Sequence, residues 1–211
     1  MNIEKILKEI IGNKKFDFEQ MYQIRYGLEK GLDISLYADP KFNDLQMYEI
    51  RKGLEDGLDV SLYADPKFNY VQMFEIREGL EEGLDASLYA DPKFNDLQMY
   101  EIRKGLGKGL DVNLYADEKF DWLQMREIRS GLEKGVDVNL YADPKFNNWK
   151  MQQIRLGLKN GLSIEQVSIY ANPNFDWGQM FQIRKGLESG LNFDEFVREG
   201  KWIKLKLKTI H

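Results

Sequence analysis

The sequence predicts an all-α fold, an α/α solenoid of seven two-helix repeats with an N-terminal capping helix and a short basic C-terminal tail. The first observation behind this prediction is internal repetition. The element Ile-Arg-x-Gly-Leu begins at residues 24, 50, 76, 102, 128, 154 and 183. The spacing is 26 residues up to the sixth copy and then 29, because three extra residues lie between 163 and 169. A fixed period of this length is typical of stacked helical units.

The second observation is a start signal for a helix in each copy. In residues 42–67, Asn43 is a good N-cap, and Gln46 stands three residues further on, where it completes a capping box. Phe42 and Met47 flank the cap as the two members of a hydrophobic staple. The cap and the glutamine recur in the other copies except the sixth, where Lys150 replaces the glutamine.

The third observation is an equally regular set of stop signals. Gly57 supplies the left-handed residue that ends the first helix. Asp59 then caps a second helix, which we expect to continue until Asp65-Pro66 ends it. Each repeat is therefore predicted to hold a helix of about 13 residues, a tight turn, a helix of about 6 residues and a loop. The glycines equivalent to Gly57 are Gly31, Gly83, Gly109, Gly135, Gly161 and Gly190.

Neither helix of a repeat can bury its apolar side alone, so the core must form between stacked repeats. Met47, Ile50 and Leu54 share one face of the first helix. Gly53 lies beside this face, and glycine recurs there in all seven copies. A glycine inside a helix costs about 0.5–1 kcal/mol relative to alanine, so we expect another backbone to approach closely at this point.

The repeats define the domain organisation. Residues 1–15 form the predicted capping helix, in which Ile3, Ile6, Leu7 and Ile10 share a face that ends at Gly12. Residues 199–211 form the basic tail, whose alternation of apolar and basic residues from Trp202 to Lys208 is compatible with a strand. Residues 16–198 hold the repeats, with bounds 16–41, 42–67, 68–93, 94–119, 120–145, 146–174 and 175–198.

The consensus FxxxQMxxIRxGLxxGLDVSxYADPxF extends from Phe16 to Leu191. It resembles a tandem helical repeat of about 26 residues in uncharacterised phage and mobile-element proteins of anaerobic Gram-positive bacteria. The resemblance implies a counter-defence protein, which binds and disables a host immune factor. That implication comes from genetic context and not from a recognisable site.

Composition narrows the classes of function. The formal net charge is −5, with 35 acidic and 30 basic residues, whereas nucleic-acid-binding proteins usually carry a basic excess. The absence of cysteine excludes disulfides and thiolate chemistry, and it fits a reducing, cytoplasmic location. We expect no membrane span and no secretion signal, since no apolar run approaches about 18 residues and the first residues lack a cleavage pattern.

Catalytic and metal-binding patterns are not expected either. The single histidine is His211, so no Cys/His or Ser/His pair exists. The carboxylates fall at caps and loops, where helix geometry already accounts for them. The Asp-Pro-Lys-Phe loops lack the glycine and final glutamate of a calcium loop. We therefore expect no enzyme, no metal and no cofactor.

The candidate partner-binding residues lie at the second and fifth positions of the first helix, N2 and N5. These positions are i, i+3 neighbours and point away from the core face. Two interpretations stay open, because such residues form either an exposed interaction surface or a packing surface for the next repeat. The residues of this outer stripe are Tyr22, Leu45, Tyr48, Val71, Phe74, Leu97, Tyr100, Trp149 and Phe181.

The arginine of the repeated element forms a second series, the arginine ladder. One interpretation is a groove that binds phosphate or an acidic peptide. The other is structural, with each arginine paired to a loop aspartate such as Asp65 or to loop carbonyls. The members of the ladder are Arg25, Arg51, Arg77, Arg103, Arg129, Arg155 and Arg184.

The function expected from these patterns is a non-catalytic repeat scaffold that binds a protein partner, whose most concrete form is a phage or mobile-element inhibitor of a host defence protein. One alternative is a structural module that self-associates through the array or through the tail. Another is a nucleic-acid or nucleotide binder that uses the arginine ladder.

Overall fold

A computed structural model describes Leu7 and residues 9–191 of the chain. The chain divides into two compact units, residues 1–107 (unit 1) and residues 108–211 (unit 2), so the boundary falls inside the fourth predicted repeat. All regular secondary structure in the described residues is helical, and successive long helices pack against one another within each unit. The predicted all-α, repeat-based fold is confirmed.

The long helices are the first helices of the predicted repeats. Unit 1 contains α1 (Phe18–Glu29), α2 (Asp44–Glu55), α3 (Tyr70–Glu81) and α4 (Asp96–Leu106). Unit 2 contains α5 (Trp122–Leu132), α6 (Asn148–Lys159) and α8 (Trp177–Glu188), with the shorter α7 (Ile164–Ser168) between the last two.

The predicted caps form as expected. Asn43 accepts a hydrogen bond from the Gln46 amide, and the Gln46 Oε1 accepts one from the Asn43 amide at 2.7 Å. At the other end, Gly57 has a φ of 71°, and the Leu58 amide donates to the Gly53 carbonyl. This is the hydrogen bond of a Schellman motif. Helix α6, in which Lys150 replaces the glutamine, has the Asn147 cap without the reciprocal bond.

The prediction of a six-residue second helix is wrong for five of the repeats. Each has a single 3-10 turn of three residues, such as Val60–Leu62, which begins at the predicted cap Asp59. The chain leaves the helical region at Tyr63, where φ is −136°, before it reaches Asp65-Pro66. The other turns are Ile34–Leu36, Ala86–Leu88, Val112–Leu114 and Val138–Leu140. Among the repeats whose second helix lies in the described residues, the sixth, with its three extra residues, is the one that forms a true α-helix here, α7.

In five of the long helices the repeated glycine accommodates a tyrosine side chain, which corrects the expectation that a backbone approaches it. A Cβ added to Gly53 would lie 2.0 Å from the Tyr63 hydroxyl and 2.9 Å from Val60 Cγ1. Tyr63 is completely buried, and its hydroxyl donates to the Glu49 carbonyl at 3.2 Å. Burial therefore raises the pKa of Tyr63 above its ordinary value. The glycine is needed to fit this ring between the short turn and the long helix.

Within each unit, the capping glutamine also connects neighbouring repeats. Gln46 Nε2 donates to the carbonyl of Phe68, 22 residues further on, at 2.6 Å. Gln20 and Gln72 make the same contact in unit 1, and Gln124 makes it in unit 2, at 2.6–2.7 Å. One buried side chain thus caps its own helix and satisfies a buried carbonyl of its neighbour.

The two predicted ends are only partly covered by the described residues. Residues 9–11 are helical, and Gly12 has a φ of 55°, as expected for the end of the capping helix. The rest of that helix, the helix predicted at 193–198 and the tail at 199–211 lie outside the described residues.

Substituting Gly53 with alanine tests the tyrosine contact. The added Cβ would displace a buried ring, so we expect the free energy of unfolding to fall by about 2–3 kcal/mol in chemical denaturation. Helix propensity alone predicts the opposite sign, a gain of about 1 kcal/mol. Gly107→Ala is the matched control, because its Cβ would meet no atom closer than 3.5 Å. Stabilisation by both substitutions would contradict the contact.

Candidate partner-binding surface

The outer stripe lies at the surface of each unit. In unit 1, Leu45, Leu97 and Tyr22 are each more than two-fifths exposed, and Val71 and Phe74 are half-buried. In unit 2, Trp149 is 57% exposed and Phe181 is half-buried. These side chains therefore contribute little to the core, which consists of residues such as Met47 and Ile50 on the opposite face.

The exposed surface also includes apolar residues that were not among the predicted partner-binding residues. The first helical position, N1, places Phe18, Tyr70 and Trp177 at the surface, where they are 82%, 42% and 56% exposed. The signal was present in the sequence, since this position alternates between aromatic residues and Asp or Asn. Position N9 adds the half-buried Leu156 in α6, where α2 and α4 have lysine.

The aromatic residues at N5 have a second contact, with the arginine ladder. The Arg77 guanidinium carbon lies 5.3 Å from the centre of the Phe74 ring, three residues earlier on the same helix. Arg51, Arg103 and Arg184 lie 5.2–5.8 Å from the rings of Tyr48, Tyr100 and Phe181. Such cation–π contacts fix one face of each ring and leave the other available to solvent or to a partner.

The ladder arginines bind side chains of the preceding long helix. Arg77 Nε donates to Glu49 Oε2 at 2.8 Å, and Arg103 Nε donates to Glu75 Oε2 at 2.9 Å. In unit 2, Arg155 Nε donates to Glu127 Oε2 at 2.8 Å. The acceptor is a neutral glutamine for two members, since Arg51 binds Gln23 and Arg184 binds Gln153. The acceptor always occupies position N6.

Most ladder arginines also form an ion pair with a glutamate that follows them in the chain. Arg51, Arg77, Arg129 and Arg184 each pair with the glutamate four residues later, Glu55, Glu81, Glu133 and Glu188. In α4 that position is Gly107, and Arg103 instead pairs with Glu82 at 2.5 Å. For Arg51, Arg77, Arg103, Arg155 and Arg184, the partners that the structure gives are not the predicted loop aspartates. The Asp65 carboxylate accepts a hydrogen bond from the Lys67 amide and so shapes its own turn.

Burial and the cationic partners shift the pKa values of these glutamates in opposite directions. Burial raises the pKa of Glu49, and the hydrogen bond and charge of Arg77 oppose that shift. For Glu188, burial also raises the pKa, but hydrogen bonds from Asn160, Lys185 and Arg184 outweigh it and lower the pKa to about 2. The guanidinium groups of Arg77 and Arg103 are thus occupied by carboxylates, and they offer little to an incoming phosphate. Arg25, on the first long helix, is exposed and has no ion pair within the described residues.

Chemically, the outer stripe offers aromatic and aliphatic contact area. No cluster of three or more His, Cys, Asp or Glu side chains suited to a metal ion occurs among residues 9–191. No helix in this part of the chain is long and apolar enough to cross a membrane. No protein family, curated protein or solved structure matches the chain.

Two substitutions measure separately what each member of a ladder pair contributes to stability. Arg77→Met leaves the Glu49 carboxylate buried without its cation, so we expect the free energy of unfolding to fall by about 3–5 kcal/mol. Glu49→Gln should change it by less than about 1 kcal/mol, because Gln23 and Gln153 already serve this position in other repeats.

The pH dependence of Arg77→Met provides a further check. With the cation removed, burial, together with the charges of Glu78 and Glu81, keeps the Glu49 pKa above its ordinary value of 4.5. A raised pKa means that the folded state holds the proton more tightly, so stability is lost as pH rises through that pKa. In denaturation experiments, the loss of unfolding free energy in Arg77→Met relative to the wild type should therefore become smaller as the pH falls towards 4.5. If this loss instead became larger at acidic pH, the pairing of Arg77 with Glu49 would be contradicted.

Proposed function

We propose that the protein is a non-catalytic helical-repeat scaffold that binds a protein partner through the outer face of its long helices. The observation that carries this proposal is the segregation of side chains on each helix. Residues at N3, N6, N7 and N10 hold the repeats together, whereas N1, N2 and N5 present apolar side chains such as Leu45, Tyr70 and Trp149 to solvent. Exposed apolar surface of this kind is characteristic of protein interaction sites.

The variation between repeats supports the same proposal. Inner positions hardly change from copy to copy, while N1, N2, N5 and N9 differ. A partner without internal repetition requires such differences, because each repeat then contacts a different part of it. The occupied ladder arginines favour a protein over a nucleic acid, whose affinity depends on cations free to contact phosphate.

The most concrete form of the proposal is an inhibitor carried by a phage or mobile element, which covers a functional surface of a host defence protein. This form comes from the resemblance of the repeat, and it predicts that the partner is a bacterial protein bound in stoichiometric amount.

Affinity capture with matched variants tests the proposal. Tagged protein is incubated with lysate of anaerobic Gram-positive bacteria, and the captured proteins are identified by mass spectrometry with a parallel nucleic-acid stain. We expect one stoichiometric protein, which is lost when Leu45, Leu97 and Trp149 are changed to serine. A control with serine at the exposed turn lysines Lys41, Lys67 and Lys145 should retain it.

Three outcomes would count against the proposal. A partner that the serine variant of the outer stripe still captures would place binding elsewhere on the protein. Nucleic acid that washes off with salt would favour the arginine ladder. Recovery of the bait alone, with a molecular mass that increases with concentration, would favour self-association.

A further inference from the structure

Unit 2 contains an apolar groove between its last two long helices. Helix α6 contributes Trp149, Gln152, Gln153 and Leu156, and α8 contributes Trp177, Phe181 and Arg184. The groove has a volume of about 530 Å³, which is within the usual range of ligand pockets. Trp149 and Trp177 are both more than half exposed, so their indole rings are accessible at its rim.

Three residues of this groove are uncharged where the corresponding residues of α2 are charged. Position N9 holds Leu156 in α6 and Lys52 in α2, and position N6 holds Gln153 in α6 and Glu49 in α2. Position N1 holds Trp177 in α8 and Asp44 in α2. Helix α1 shares the uncharged character, with Phe18, Gln23 and Tyr26 at N1, N6 and N9.

The remaining charge around the groove is positive. Arg184 donates to the neutral Gln153 at 3.0 Å and to Glu188 at 2.5 Å, and Glu188 also accepts from Lys185. A single carboxylate therefore serves two cations. By contrast, Arg77 in unit 1 is surrounded by three glutamates, Glu49, Glu78 and Glu81.

Residues that flank the groove add to its positive charge. Helix α6 carries Lys150, Arg155 and Lys159 and no acidic residue, and of these Arg155 is paired with Glu127 of α5. Lys159 is exposed and lies one turn beyond Leu156, and Lys185 lies one turn beyond Phe181 on α8. An apolar groove with cations on its flanks is complementary to an apolar side chain that is flanked by carboxylates.

We propose that this groove binds an acidic segment of a protein partner, which inserts an aromatic or leucine side chain between Trp149 and Trp177 and directs its carboxylates towards Lys159 and Lys185. The inference rests on the proposed function and names the chemistry of the partner. Two tryptophans and a phenylalanine form the kind of aromatic anchor site that dominates the binding energy of many protein interfaces. Arg184 is the charged residue of the lining, and it is already paired with Glu188. The other lining residues are uncharged, which favours a side-chain anchor over a sugar–phosphate backbone.

Selection from a random 12-residue peptide library displayed on phage tests this inference. Peptides are selected on the full-length protein and then counter-selected on the double variant Trp149→Ala, Trp177→Ala. Trp122→Ala is the matched control, because Trp122 lies in the same unit but does not line the groove. We expect groove-dependent peptides to combine an aromatic residue or leucine with two or more acidic residues.

The affinity of a synthesised winning peptide provides the quantitative readout. By fluorescence anisotropy, Trp149→Ala should weaken binding at least tenfold, Lys159→Glu should weaken it several-fold at low salt, and Trp122→Ala should leave it unchanged. Groove-dependent peptides without an acidic bias would overturn the inference. The inference would also be overturned if a labelled 12-residue oligothymidylate bound more tightly than the peptide and lost this binding in Trp149→Ala. That result would assign the groove to single-stranded nucleic acid.

This experiment distinguishes failure of the inference from failure of the proposed function. If no selected peptide depends on the groove while the captured partner still depends on Leu45 and Leu97, the acidic-segment inference fails and the scaffold proposal stands. If capture finds no protein partner at all, the scaffold proposal fails whatever the peptides show.

Discussion

A single glutamine contact sets the register of successive repeats. The Oε1 atom of Gln72 accepts the amide of its own helix cap, Asn69, and its Nε2 atom donates to the carbonyl of Phe94 in the next repeat. Because both bonds come from one side chain, the start of a helix is fixed relative to the turn that precedes the next one. A buried carbonyl that loses its donor costs about 1–3 kcal/mol, so the contact penalises any other register.

The other inner contacts follow from this register. It places the N6 glutamate of one helix beside the ladder arginine of the next, as in Glu49 and Arg77. The N5 ring of the same helix covers Arg51, Arg77, Arg103 and Arg184. The polar groups of the long helices are thereby used for cohesion between repeats. The outer positions make few of these contacts, so they are free to vary. In the groove of unit 2 they hold Trp149, Leu156 and Trp177, with Lys159 and Lys185 one turn away.

The features that the sequence predicts correctly are those that depend on local signals. The repeat period, the caps such as Asn43 and the left-handed glycines such as Gly57 depend on residues within a few positions of each other. The second helix was mispredicted because its length is decided by a tertiary contact. Tyr63 must leave the helical region to place its ring against Gly53, ten residues earlier.

The other features that the sequence did not predict depend on contacts between repeats. The partner of Arg77 is 28 residues away, and a single sequence offers several acids at similar distances, so the loop aspartates were an equally reasonable choice. The groove depends on Trp149 and Trp177 meeting across two helices. Its only trace in the sequence is the loss of charge at Gln153 and Leu156, which acquires meaning once the facing positions are known.

The central claim is that inner polar contacts hold the repeats while the outer stripe is dispensable for folding. Thermal unfolding of two variants tests it most directly: the triple serine variant at Leu45, Leu97 and Trp149, and the single variant Gln72→Leu. We expect the triple variant to unfold within a few degrees of the wild type, since substitutions at exposed sites usually change stability by less than about 0.5 kcal/mol. Gln72→Leu should lower the midpoint clearly, in line with a loss of about 1–3 kcal/mol. A collapse of the triple variant, or an unchanged midpoint for Gln72→Leu, would contradict the claim.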